Sequence, residues 1–151
     1  LSTLHTNDAP GTISRLMNMG IEPFLVSSSV NLICAQRLVR RVCRHCRQES
    51  PSPLAALMKV EFSAEDARTV VPSHGVGCEK CTGTGYKGRI GLYEVMEVTD
   101  GLRELILVGA SGLELRRRAI EEGMISLRGS GLQKIKDGVT TVEEVLRETV
   151  M

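Results

Sequence analysis

Polar and apolar positions along the chain follow two different periods, and the switches between them mark its elements. Leu1-Ser2-Thr3-Leu4 is short and compatible with a strand, then turns polar at His5-Thr6-Asn7-Asp8. Asn7 or Asp8 is placed to cap a helix with Pro10 in its first turn, Ile13, Leu16 and Met17 at helical spacing, and Gly20 as its stop. Pro23 opens a second predicted helix, which carries Val26, Val30 and Ile33 and runs to about Cys34. Period two takes over at residues 89–98, where Ile90, Leu92, Met96 and Val98 fall on one face of a strand and Glu94 is the one polar interruption. The remainder reads as helical. Ser111-Gly112-Leu113-Glu114 is a capping box ahead of a helix stopped by Gly123. Ser126 is placed to cap the next helix, ending near Gly138, and Thr140-Thr141-Val142-Glu143 reads as a second box opening a helix to about Glu148. These last segments predict a small helical bundle.

Composition narrows the choices. With 151 residues the chain is one ordinary domain or two small lobes. Aromatic residues make up 3% of it and Trp is absent, so core volume has to come from Leu, Val, Ile and Met. A net charge of +1 gives no global argument for a nucleic-acid or membrane partner. No apolar run approaches the roughly 20 residues that span a bilayer, and no signal peptide is visible. The chain starts at Leu1 without an initiator Met and reads as a piece of something longer.

Candidate chemistry centres on two C-x-x-C pairs, Cys43/Cys46 and Cys78/Cys81. Two intervening residues let a tight turn aim both sulfurs at one ion, and a second pair completes the S₄ shell of a closed structural zinc site. Thr82-Gly83-Thr84-Gly85 after the second pair gives glycines that curl main-chain amides toward the sulfurs. Two redox dithiols, two disulfides or four unrelated thiols are the competing readings. The 31 residues between the pairs form an insert, with Pro51 and Pro53 followed by Leu54–Met58 and the acidic Glu61–Asp66. A lobe of about 45 residues is too small to hold on apolar burial alone and needs such a staple. The fifth cysteine, Cys34, lies among apolar neighbours and is expected to be buried and inert. Free thiols beside a thiolate metal site point to a reducing compartment, the cytosol.

A strand ending in His5-Thr6-Asn7-Asp8 before a helix would place those groups at the carboxyl edge of a sheet, where open α/β folds bind ligands. His5 is able to exchange a proton near neutral pH, although from the residues alone turn hydrogen bonding is the favoured account of a His and an Asn there. The segment Leu1 to Ala9 resembles the histidine box of the secretion ATPases that power type II secretion and type IV pilus assembly. The resemblance continues through Met19-Gly20-Ile21-Glu22-Pro23-Phe24, Ala35 to Cys43, both cysteine pairs, Gly88-Arg89-Ile90-Gly91-Leu92-Tyr93-Glu94, and Gly138 to Leu146. It is weakest over residues 52–74.

That resemblance implies a mixed α/β chain. Residues 1–41 would be the C-terminal remnant of a RecA-like ATPase core, residues 42–88 a tetracysteine zinc lobe, and residues 89–151 a strand with a C-terminal helical subdomain. It further implies a hexameric ring in the cytoplasm, peripheral to the bacterial inner membrane, attached to a platform of membrane proteins and binding no nucleic acid. His5 would act as a nucleotide-state sensor or catalytic helper, and Arg89 would face nucleotide phosphates. Cys43, Cys46, Cys78 and Cys81 would hold Zn²⁺. No G-x-x-x-x-G-K-[ST] run occurs in these residues, and the acidic Walker B segment is absent too. ATP and Mg²⁺ would therefore belong to the longer parent, and the piece by itself would be inactive.

Two readings of other classes compete. Arg37, Arg40, Arg41, Arg44 and Arg47 crowd around the first cysteine pair and would suit phosphates in a standalone zinc-ribbon module binding nucleic acid or protein. Against the nucleic-acid version, Tyr86 and Tyr93 are the only tyrosines and no stacking platform is evident. A thiol oxidoreductase would need one low-pKa dithiol near a βαβ unit, and two pairs argue against it.

Overall fold

The computed structural model describes residues 1–50, 57–58 and 61–149. They form a mixed α/β structure that divides into two units, each built from separated stretches of chain. Residues 1–36 and 93–127 make the first unit, and residues 37–92 and 128–150 the second. Two long strands, β1 (Leu32–Val42) and β4 (Tyr86–Glu97), pair with each other and run through both units. Their contacts run in opposite senses: Val98 N–H donates to Asn31 O, Gln36 Nε2 to Tyr93 Oη, and Cys43 N–H to Gly85 O, so the pair is antiparallel.

In the first unit α1 (Ala9–Asn18) starts at Asp8, whose Oδ1 accepts from Gly11 N–H at 2.7 Å, with Pro10 in the first turn. Gly20 takes φ +84° at its end, the left-handed stop expected there. The second helix departs from expectation. It spans Pro23–Ser29 (α2) and Val30 is already extended, so Val30 to Cys34 do not continue it. Ser27 and Ser28 hydroxyls both donate to Phe24 O (3.0 and 2.8 Å), taking over a helix carbonyl, and the β-branched Val30 and Ile33 then suit the strand that follows. Strand alternation also reverses the expectation for Cys34: Ile33 is buried and Cys34 is exposed. Residues 1–6 form no strand, because no described neighbour offers them a ladder.

Two further helices complete this unit. Thr99 caps α4 (Asp100–Leu107) through Leu102 N–H, and the Ser111/Glu114 capping box opens α5 (Gly112–Glu121) as its sequence predicts. The core gathers Ile13, Val26, Ile33, Met96, Leu102, Ile106 and Leu115, each at most 9% exposed. Strand β4 supplies Leu92 and Met96 to the buried side, and Glu94 is buried between them at 0% exposure.

The second unit holds the cysteines, a short antiparallel pair β2 (Arg47–Glu49) and β3 (Ser73–Gly75), α3 (Ala64–Thr69), and the last two helices. The segment opening the insert at Pro51 and Pro53 lies outside the described residues. Helix α6 covers Leu127–Lys136, with Gly138 at φ +64° just beyond, and α7 covers Val142–Glu148. The helices expected as one C-terminal bundle are thus divided: α5 belongs to the first unit and α7 to the second. The cap of α7 is Thr141, one residue later than expected; its hydroxyl accepts from Glu144 N–H. Thr140 instead donates its hydroxyl to Arg40 O, and Glu144 is drawn away from the box to Arg40. Leu57, Phe62, Ala67, Ile135 and Val145 form a small apolar core here. No helix among the described residues is long and apolar enough to cross a membrane.

Candidate metal centre

Both C-x-x-C turns arise from local chain geometry. Cys46 N–H donates to Cys43 O, and Cys81 N–H to Cys78 O, so each pair closes a tight turn that points its sulfurs the same way. The second turn continues as a 3₁₀ segment, Glu79–Cys81, and ends on Thr82 in the left-handed region. Gly83 and Gly85 follow at φ +78° and +75°. That path aims Cys78 N–H and Gly85 N–H at Cys81 Sγ (3.2 and 3.3 Å). Gly75 and Gly85 lie so close that a Cβ on either would run into the other's carbonyl oxygen.

The four sulfurs converge within 4.8 Å of one another, three of the cysteines buried and Cys78 half-buried. Cys43–Cys78, Cys46–Cys81 and Cys78–Cys81 are separated by 3.9, 3.8 and 3.7 Å. A tetrahedral ion with sulfur ligands at about 2.3 Å requires edges of about 3.8 Å. A disulfide requires sulfurs about 2.05 Å apart. The spacing fits a tetrahedral S₄ metal site and none of these pairs is a disulfide.

Electrostatics agree with a cation in that position. Burial disfavours a thiolate at Cys46 and at Cys81. At Cys81 it is outweighed by the amides of Cys78 and Gly85 and the thiols of Cys78 and Cys46, which pull its pKa down to about 6. At Cys46 burial dominates, helped by the neighbouring sulfurs, and pushes the thiol up to about 12. Of these two thiols Cys81 ionises the more readily, and a bound divalent ion would be needed to strip the proton of Cys46.

The other candidates are placed differently. His5 is exposed in the segment leading to α1, and Arg89 is exposed on β4. His5 belongs to the first unit and Arg89 to the second. Two of the five clustered arginines are used inside the second unit. Arg40 donates Nε and Nη2 to Glu144 Oε1 (2.9 and 2.7 Å) and stacks 4.1 Å from the Tyr86 ring centre; Arg47 donates to Gly138 O. Sequence reasoning missed this pairing, whose partners are 104 residues apart. It also left Glu94 as a mere interruption, though a lone carboxylate in the buried phase of a strand was a visible signal.

Comparison with known proteins gives a consistent picture. The family model described as "Type II/IV secretion system protein" matches residues 1–147. The chain is 53% identical over 150 residues to the type IV pilus assembly ATPase PilB of Myxococcus xanthus, covering 99% of this chain and 26% of that protein. It is 43% identical to the type IV pilus assembly ATPase PilB of Thermus thermophilus, over 99% of this chain and 17% of that protein. It is 44% identical to the type II secretion system protein E of Aeromonas hydrophila, over 99% and 29% respectively. The chain therefore spans less than a third of the length of these relatives.

Proposed function

The chain belongs to the family of type II/IV secretion system proteins, and from that premise we propose that it forms part of an ATP-driven motor for type IV pilus assembly or type II secretion. The observation that carries this reading is the continuous match across the whole chain to pilus assembly and secretion ATPases. In the working protein these residues would adjoin a RecA-like nucleotide core within a hexameric ring. That ring would work at the cytoplasmic face of the inner membrane and pass its movements to membrane platform proteins.

The chain's own residues then divide the labour. Cys43, Cys46, Cys78 and Cys81 would hold Zn²⁺, which when bound supplies a rigid four-way crosslink and no catalysis. His5, exposed in the segment leading to α1, would sense or assist the nucleotide's terminal phosphate. Arg89, an exposed cation on β4, would face nucleotide phosphates. No G-x-x-x-x-G-K-[ST] run occurs in these residues, so phosphate cradling would come from elsewhere in the motor. The intramolecular engagement of Arg40 and Arg47 weakens the nucleic-acid reading of the arginine cluster.

The test uses the full-length natural protein. It should hydrolyse ATP while the 151-residue chain alone does not. His5→Ala should lower kcat by roughly 10-fold or more, in line with the loss of a proton-handling group, with KM changing less. Hydrolysis by the chain alone would overturn the division of labour, and an unchanged kcat would remove His5 from it.

A further inference from the structure

Strand β4 carries one charged residue on its buried face. Glu94 is 0% exposed, between Leu92 at 0% and Met96 at 1%. An apolar side chain there would complete the strand's pattern, and an ionised one carries a large desolvation cost that has to be offset. Both of its oxygens are spent on main-chain donors. Oε1 accepts from Ala9 N–H at 2.7 Å and Oε2 accepts from Leu127 N–H at 3.1 Å. Each donor belongs to the first residue of a helix, where main-chain N–H groups lack helical partners and the helix dipole favours a negative charge.

Ala9 follows directly on His5-Thr6-Asn7-Asp8. The same short loop is held at two other points. Asp8 caps α1 through Gly11 N–H and accepts a charged hydrogen bond from Arg116 on α5, while Thr6 and Thr12 share a hydroxyl–hydroxyl bond of 2.8 Å. Of these ties, the Glu94 bond is fully buried and is the one that fastens the loop's end to the sheet strand. We propose that Glu94 is a positioning residue for the His5–Asp8 loop, acting through the Ala9 amide. The inference rests on the reading of His5 as a participant in turnover. Glu94 touches no nucleotide in this scheme; it sets where His5 sits.

The experiment is a double-mutant cycle in the full-length protein, read as kcat and KM for ATP hydrolysis. Glu94→Gln keeps the shape but sets an amide N–H against one of the two main-chain donors. Its kcat should fall on the order of 10-fold, the scale of a small misplacement of a catalytic group, with KM within about twofold. In a His5→Ala background the same change should cost less than about twofold, because the group it positions is gone. Ile135→Val perturbs the separate apolar cluster of the second unit and should leave kcat unchanged. If Glu94→Gln does not fold, Glu94→Asp keeps the charge and withdraws its oxygens by about 1.5 Å, with the same expectation. A His5→Ala protein with normal kcat overturns the reading of the loop and this inference with it. A slow His5→Ala protein on which Glu94→Gln multiplies in full, or a normal Glu94→Gln protein, overturns the inference alone.

Discussion

Removing the Arg40 side chain should unfasten α7 from β1, and the structure sets the size of the effect. Glu144 is 1% exposed and accepts four donations: Arg40 N–H at 2.8 Å, Arg40 Nε at 2.9 Å, Arg40 Nη2 at 2.7 Å and Arg147 Nη2 at 3.0 Å. Exposed ion pairs contribute about 0–1 kcal/mol, and stranding a buried charge costs about 3–5 kcal/mol. Here the carboxylate is buried, but Arg40 is 45% exposed, and Arg147 with the residue-40 amide would remain after Arg40→Ala. An intermediate loss of about 2–3 kcal/mol follows, including the contact with Tyr86. Amide exchange along Val142–Glu148 reads this directly, because local opening need not unfold both units; 2 kcal/mol corresponds to about 30-fold faster exchange. Arg40→Lys should recover less than half, since one ammonium cannot reproduce the two-pronged guanidinium contact. A cycle with Glu144→Gln should give a coupling of about 1.5 kcal/mol or more. The pH dependence has a definite sign. Burial alone would raise the Glu144 pKa, but the Arg40 bonds outweigh it and hold the carboxyl below its ordinary 4.5. The stabilisation is therefore complete above 4.5 and is lost as pH falls through the lower folded value. A coupling below about 0.5 kcal/mol, a fully effective Lys, or a helix that tightens in acid would refute the reasoning.

Two further outcomes check the cysteine geometry. With zinc bound, a thiol reagent should react rapidly with one thiol per chain, Cys34, and with all five after chelation in denaturant; more than one fast thiol in the zinc-loaded protein would exclude the S₄ site. Gly85→Ala should weaken zinc binding by about 2 kcal/mol or more, because a Cβ there meets the Gly75 main chain and the backbone holds φ +75°. Gly83→Ala, at φ +78° with open space around it, should lose about 1 kcal/mol; equal effects of the two would refute the close approach.

What could be read from the sequence was local. Asp8 and Ser111 declare themselves as caps because the groups they satisfy lie three residues away, and the C-x-x-C spacing reveals two turns for the same reason. Reading β4 from its alternation also worked, since period two needs only one strand. Long-range competition decided the rest. Ile33 fits a helical face as well as a strand, and pairing with β4 settled the matter in favour of β1. Cys34 followed: its neighbours are apolar in sequence, but alternation turned it outward. At Thr140-Thr141 two overlapping caps were available, and the pull of Arg40 on Glu144 chose between them. His5 and Arg89 are exposed side chains, and their roles depend on a nucleotide and neighbouring chain segments that local pattern does not contain.

The second unit shows why such long-range ties are needed. Among the described residues one apolar cluster of this unit gathers Leu57, Phe62, Ala67, Ile135 and Val145, small beside the loops it has to order. Two polar devices attach to the same end of β1 within three residues. Arg40 holds α7 through Glu144, and Cys43 opens the sulfur cluster. Between them Val42 N–H donates to Val139 O, and Cys43 N–H donates to Gly85 O. The strand end is thus held from the helix side by the Arg40–Glu144 pair and from the knuckle side by the Cys43 N–H bond to Gly85 O. Each device alone fastens one neighbour; together they fix the register of the strand on which both depend. A metal held in this position would organise structure at its own knuckles and would also set the frame in which the buried Glu144 finds its cation.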